Sequence, residues 1–115
     1  MDSEEMKRRT KLFAVNTAFL TMKLPDSLVN LAYKRQIVRS SSSVGANYRA
    51  SRRAKSNADF INKLKIVEEE LDESLFFLEL LEVFNQSEKE EIGVLYREGE
   101  TLLKIIVASI ISSRK

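Results

Sequence analysis

Apolar residues recur at three- and four-residue steps in four segments of the chain, which is the period of an amphipathic α-helix. The first segment covers roughly residues 4–23. Its apolar stripe consists of Leu12, Val15, Phe19 and Met22. The segment ends before Pro25, because the residue that precedes a proline avoids the helical conformation. The pattern predicts a first helix with this stripe as its apolar face.

The second segment begins near Asp26 or Ser27, either of which can cap a helix, and continues to about Ala54. Four serines at 40–43, followed by Gly45, are also compatible with a flexible loop, and a glycine within a helix costs about 1 kcal/mol. A continuous helix is favoured, because no proline interrupts the segment and small residues let two helix backbones come close.

The third and fourth segments have the clearest stripes. The third consists of Phe60, Leu64, Val67, Leu71, Ser74, Leu75, Leu78 and Leu81, and the fourth of Ile92, Leu95, Tyr96, Gly99, Leu102, Leu103, Ile106 and Ile110. Capping boxes are expected at residues 56–59 and 87–90, with the third helix ending at Asn85 or Gln86. Four helices with short connections predict an all-α fold, an antiparallel up-down-up-down four-helix bundle that forms one domain over residues 1–115.

Helices three and four have more apolar positions than one bundle face requires. The surplus positions that we consider candidates for an oligomer interface are Phe76, Phe77, Leu80, Ile105, Val107 and Ile111. Single exposed apolar residues would need no explanation. Because the surplus is contiguous on two helices, self-association into a homo-oligomer is favoured.

The amino-acid composition excludes several kinds of catalytic and metal-binding site. The chain has no cysteine and no histidine, which excludes disulfides, thiol catalysis and the usual general base near neutral pH. The acidic run at residues 68–73 lacks the histidines of a di-iron bundle. We therefore expect no catalytic residue, no metal, no cofactor and no enzymatic activity. The N-terminus lacks a secretory signal and the apolar stretch at 105–111 is too short for a bilayer, so we expect a cytoplasmic protein without a membrane partner.

Charge is strongly segregated along the chain. Residues 30–65 contain nine basic residues and one acid, a net charge of +8, whereas residues 66–100 contain twelve acids and two basic residues, a net charge of −10. Neighbouring helices of opposite charge would neutralise each other; alternatively, the basic segment offers a face to nucleic acid. The candidate nucleic-acid-binding residues are Lys34, Arg35, Arg49, Arg52, Arg53 and Lys55. A cluster at 49–55 is also typical of a solvated helix C-terminus.

We expect structural roles for five further residues, which are Arg39, Gly45, Asn47, Glu70 and Glu73. Arg39 and Arg49 on the second helix are expected to pair with Glu70 and Glu73 on the third. Asn47 lies beside Gly45, where two helices would approach closely, so its amide is expected to be buried and bonded to a partner side chain.

Residues 36–49, 56–64 and 72–81 resemble the four-helix-bundle proteins related to those encoded in intervening sequences of bacterial 23S rRNA genes. The resemblance implies a ring-shaped homopentamer of antiparallel bundles. The chain is also similar to the accessory variability determinants of diversity-generating retroelements, which implies nucleic-acid binding through basic residues and association with a reverse transcriptase. The sequence therefore favours a non-enzymatic oligomer that binds RNA, DNA or a nucleic-acid-processing protein. The alternative is a protein–protein scaffold without affinity for nucleic acid.

Overall fold

The computed structural model describes residues 2–115 and contains four α-helices. They are α1 (Ser3–Lys23), α2 (Leu28–Ser51), α3 (Asn57–Phe84) and α4 (Lys89–Ser113), with a 3-10 turn at Gln86–Glu88. The described chain has no strand and measures 45 × 21 × 19 Å. Helices of this length extend about 30–40 Å, so they run along the long dimension. The predicted all-α, four-helix fold is confirmed.

Side-chain caps explain where three of the helices begin. Asp2 accepts a hydrogen bond from the Glu5 backbone N–H at 2.8 Å, Ser27 accepts one from Asn30, and Ser56 accepts one from Asp59. The capping box predicted at residues 87–90 is wrong. The chain enters α4 through the 3-10 turn, which places Ser87 inside the turn, and the residue at the N-cap position makes no side-chain cap bond.

Helix α2 is continuous through its serine run, as predicted. Ser40 and Ser41 are buried, and the Ser40 hydroxyl lies 2.8 Å from the Ser74 hydroxyl of α3. Gly45 is also buried, and a Cβ at this position would lie 3.5 Å from the backbone of Thr10. The backbones of α1 and α2 therefore approach each other closely at this point.

The expectation for Asn47 is wrong. Its side chain is half-buried, and its amide donates to the backbone oxygen and the hydroxyl of Ser43, one turn earlier in α2, at 2.9 and 2.8 Å. Acceptors within its own helix satisfy the amide, and within residues 2–115 its side chain bonds to no other helix.

The helices pack in the cyclic order α1, α2, α3, α4, as in a bundle. Within the described residues, the backbone of α1 approaches those of α2 and α4 but has no Cα atom within 8 Å of α3, so α1 and α3 lie on a diagonal. Two clusters form the core, one around Phe13, Val44 and Leu71 and the other around Leu20, Ile37 and Leu78. The stripes predicted for α3 and α4 supply much of both clusters.

The apolar face predicted for α1 points outward. Leu12, Val15, Phe19 and Met22 are exposed, with 45%, 38%, 58% and 78% of their surface accessible. The buried residues of α1 are Met6, Thr10, Phe13, Thr17, Leu20 and Thr21. The threonine hydroxyls bond to carbonyls of the preceding turn, so three threonines that look polar in the sequence pack in the core.

Candidate nucleic-acid interface

A groove with basic walls lies between α1 and the C-terminal half of α2. Its walls, which we call the basic groove, comprise Lys7, Lys11, Arg49, Arg52 and Arg53. Its floor consists of the small residues Ala14, Ser42, Gly45, Ala46 and Ala50. The part nearest the end of α2 has a volume of about 500 Å³. The small residues that let the two helices approach therefore also form the floor of a groove that has long cationic side chains along its edges.

The end of α2 places three arginines beside this groove. The helix ends at Ser51, and Arg52 occupies the C-cap position. Cations are stabilised at a helix C-terminus by the exposed carbonyl groups. The Arg52 guanidinium also lies 5.6 Å from the centre of the Phe60 ring, a cation–π contact that restrains it.

The arginines of the groove are not neutralised by neighbouring carboxylates of the described chain. Within residues 2–115, Arg49, Arg52 and Arg53 make no ion pair, and neither does Lys11. Lys7 pairs with Glu4 at 3.2 Å on the surface of α1. Exposed pairs of this kind contribute about 0.2–0.5 kcal/mol, so a phosphate can displace the carboxylate at little cost.

The acidic helix neutralises one cation of α2 in the part of the chain that the structure covers. Arg39 bonds to Glu70 at 2.9 Å and also to Glu73. These contacts explain the raised pKa of the Arg39 guanidinium, for which the hydrogen bond to Glu70 is the largest cause. The same pairing expected for Arg49 is wrong, because this residue lines the groove toward α1. The opposite charges of α2 and α3 therefore cancel only locally.

Two of the basic residues singled out in the sequence lie elsewhere. Lys34 donates to the backbone oxygen of Leu24 at 2.5 Å and to Asp26 at 2.9 Å, and it thereby closes the connection between α1 and α2. Arg35 is exposed beside it, fourteen residues before Arg49. At 1.5 Å per residue this separation is about 21 Å. Lys34 and Arg35 therefore do not line the basic groove.

Other basic residues at this end of the molecule escaped the sequence analysis. Lys7 and Lys11 come from α1, and their four-residue spacing, read together with the small residues of α2, was the signal that could have revealed them. The Asn57 amide donates to the Ser113 backbone oxygen at 2.9 Å, which brings the end of α4, with Arg114 and Lys115, beside the start of α3. Lys55, which the sequence did predict, is exposed just after the end of α2 but is not among the residues that line the basic groove.

The groove offers cations but no exposed aromatic side chain. Tyr48, the aromatic residue of this part of α2, is buried, and burial raises the pKa of its phenol. Stacking on bases requires an exposed ring. The chemistry available here is therefore recognition of phosphates or other anions. No group of three or more acidic side chains within residues 2–115 is arranged to hold a metal ion.

The candidate interface residues are divided between two helices and several surfaces. Phe76 and Ile111 are exposed, whereas Phe77, Leu80, Ile105 and Val107 are half-buried. Phe77 is partly used inside the bundle, because its ring centre lies 6.0 Å from that of Tyr33. Ile105 packs against the core in the same way. Val83 and Phe84 of α3 are also exposed and were not among the predicted interface residues.

None of the helices within residues 2–115 combines the length and hydropathy that crossing a bilayer requires.

Comparison with known proteins places the chain in a family. A protein from the S23 ribosomal protein family of Bacteroides thetaiotaomicron, itself of unknown function, has a crystal structure that superposes with a TM-score of 0.86. The two sequences are 32% identical over 96% of this chain and 98% of the other. No curated protein matches the sequence. The model of the 23S rRNA-intervening sequence protein family matches residues 3–108. The chain therefore belongs to the 23S rRNA-intervening sequence protein family.

Proposed function

We propose that this protein is a non-enzymatic, homo-oligomeric four-helix bundle that binds the phosphate backbone of nucleic acid through its basic groove. The main observation in support is that three arginines line a groove with a floor of small residues and make no ion pair within the described chain. They are Arg49, Arg52 and Arg53. A free groove of this kind is the electrostatic footprint of a phosphate-binding surface.

The bundle in this proposal has up-down-up-down topology. Asn30, near the start of α2, and Asn85, after the end of α3, exchange reciprocal amide hydrogen bonds at 2.9 Å. Lys23 at the end of α1 pairs with Glu91 near the start of α4. Contacts between the start of one helix and the end of its neighbour support antiparallel packing. In that arrangement the basic groove and the end of α4 share one end of the bundle.

Self-association is supported by the apolar side chains that one copy leaves exposed. These include Leu12, Phe19, Met22, Phe76 and Phe84. Large contiguous apolar patches on a soluble protein usually mark an interface. A ring, for which the resemblance noted above implies five copies, would repeat the basic groove around an axis. Several weak sites on one assembly bind a long polyanion with much greater avidity than one site.

Binding is expected to depend on charge rather than on base sequence. Cations that contact phosphates release condensed counterions, so the affinity falls steeply with salt. The test measures the fluorescence anisotropy of labelled duplex DNA and duplex RNA, each in two unrelated sequences, at several salt concentrations between about 50 and 200 mM. We expect similar affinities for the two sequences of each duplex and a strong loss of affinity at the higher salt concentrations.

A paired variant and a matched control locate the site. Arg52→Ala/Arg53→Ala removes two cations of the groove and is expected to reduce the slope of log K against log salt by about 2 for each bound copy. Lys89→Ala/Arg97→Ala removes the same charge from exposed positions on α4 and should leave the slope unchanged. Absence of salt-dependent binding by the native protein, or an equal loss in both variants, would contradict the proposal. The first result would favour the protein–protein scaffold.

A further inference from the structure

Two apolar surfaces of similar length lie on different helices. The α1 face consists of Leu12, Val15, Phe19 and Met22. The α3 face consists of Phe76, Leu80, Val83 and Phe84. Three residues of the α3 face are more than half exposed, and Leu80 is half-buried. The α1 face extends over eleven residues and the α3 face over nine, so their end residues lie about 15 and 12 Å apart along their helices.

The two faces point away from each other. Helices α1 and α3 have no Cα atoms within 8 Å of each other, because each packs between α2 and α4, and they meet only through side chains in the core. The buried side of α1 is centred on Phe13, Thr17 and Leu20, and the residues of its apolar face occupy the opposite side of the helix. One chain therefore cannot cover its α1 face with its own α3 face.

The charges that border the faces are opposite in sign. Arg8, Lys11 and Lys23 lie within about one turn of the α1 face, whereas Asp72, Glu73 and Glu79 lie three or four residues from Phe76 on α3. Of these, Lys11, Asp72 and Glu79 make no ion pair within the described chain. Placing two α1 faces together would bring the Lys11 side chains of two copies near each other, and placing two α3 faces together would do the same with Asp72 and Glu79.

We infer that the α1 face of one copy packs against the α3 face of the next copy, with the basic border of the first beside the acidic border of the second. This inference rests on the proposed self-association and specifies its geometry. Because the two surfaces differ, the contact is heterologous: each copy that joins leaves one α1 face and one α3 face free. Such contacts continue until the rotation between neighbours closes a ring.

Variants that disable one face each provide the test. Phe19→Glu/Met22→Glu places acids on the α1 face, and Phe76→Glu/Phe84→Glu places acids on the α3 face, so the two altered faces repel each other in a mixture. Each variant alone is expected to run as a single chain of about 13 kDa in size-exclusion chromatography with light scattering. An equimolar mixture is expected to form a dimer and nothing larger, because only one productive pair of faces remains. Val94→Glu, on an exposed residue of α4 outside both faces, should assemble like the native protein.

The outcomes separate this inference from the proposal on which it rests. A native protein that stays a single chain at tens of micromolar overturns the self-association itself. If the native protein assembles, two further results would overturn only the pairing of α1 with α3. These are assembly of a single-face variant by itself and a mixture of the two variants that forms no dimer. Circular dichroism of each variant verifies that the helices are retained.

Cysteine crosslinking gives a second test that does not require charged residues in an apolar surface. The chain has no cysteine, so Phe19→Cys and Phe84→Cys introduce the only thiols. Mild oxidation of the double variant is expected to yield covalent multimers, and neither single variant alone should crosslink. Disulfides need Cα atoms within about 7 Å, and α1 and α3 have no Cα atoms within 8 Å, so an intrachain bond cannot form. Efficient dimerisation of either single variant would instead indicate contact between like faces.

Discussion

Helices α1 and α3 are both long, and both have apolar residues on two sides, but they use those sides differently. Helix α3 buries a stripe of aliphatic residues that includes Leu64, Leu71 and Leu78. Helix α1 instead alternates large apolar residues with three threonines on its buried side, and it exposes a stripe that would suit a core equally well. The difference teaches that the more apolar side of a helix need not be the side that faces its own core.

Hydrogen bonding within α1 explains this arrangement. The Thr10 hydroxyl donates to the Met6 carbonyl at 2.8 Å, and the Thr17 hydroxyl donates to the Phe13 carbonyl at 2.7 Å. A hydroxyl that is satisfied by its own helix costs little to bury. The methyl group and the compact shape of threonine then serve the contact with α2, where Gly45 lies opposite Thr10.

The largest expected effect contrasts one residue from each helix. Leu71→Ala in the core stripe of α3 should lower the free energy of unfolding by about 2–5 kcal/mol, because it leaves a cavity. Phe19→Ala on the exposed stripe of α1 should change the stability of a single chain by less than about 0.5 kcal/mol.

Urea denaturation at two protein concentrations sharpens this contrast. The loss in free energy of unfolding caused by Leu71→Ala should be similar at both concentrations. The loss caused by Phe19→Ala should increase with protein concentration if the stripe stabilises an oligomer. A large cost of Phe19→Ala at the lowest concentration would show that the stripe supports the fold of the single chain.

Two glycines test how closely α1 is packed against its neighbours. A Cβ on Gly99 would lie 2.8 Å from the Leu75 side chain and 3.3 Å from Phe13, so Gly99→Ala should destabilise by about 1–3 kcal/mol through overpacking. At Gly45 the nearest atoms are at ordinary contact distance, so Gly45→Ala should gain up to about 1 kcal/mol from helix propensity. Thermal unfolding of the two variants should therefore shift in opposite directions.

A smaller effect concerns the threonines. Thr17→Val keeps the shape of the side chain and removes a hydroxyl that bonds only to its own helix, so stability should change by less than about 1 kcal/mol. Thr17→Ser keeps the hydroxyl and removes the buried methyl, at a cost of about 1 kcal/mol. Chemical denaturation of both variants decides the matter: a larger loss for Val than for Ser would show that the hydroxyl, rather than the methyl, is what the core requires.

The smallest expected effect is that of pH on binding to nucleic acid. The chain has no histidine, the side chain whose ordinary pKa lies within the interval from pH 6 to about 8.5. Burial raises the pKa of Tyr48 and of Tyr96, so both phenols stay neutral throughout this interval. The affinity at constant ionic strength should therefore vary by less than about twofold. A stronger dependence would point to a titrating group outside the basic groove.

The candidate site was only partly predictable from the sequence. The charge run identified Arg49, Arg52 and Arg53, because all three lie within one short segment that ends a helix. It also included Lys34, whose charge is taken up by Asp26 at the other end of α2. Lys7 and Lys11 join the groove only because α1 folds against α2. Their four-residue spacing places them on one side of α1, but it does not determine which helix that side faces.

The sequence by itself determined four helices, their approximate ends, and the core stripes of α3 and α4, because hydrophobic period, capping residues and proline act over one or two turns. The tertiary structure decided which side of α1 is buried and which cations share a groove. It also decided that α2 and α3 cancel charge at Arg39 alone within the described chain. Those outcomes depend on contacts between residues far apart in the chain, where close packing selects one of several faces that look equivalent along a single helix.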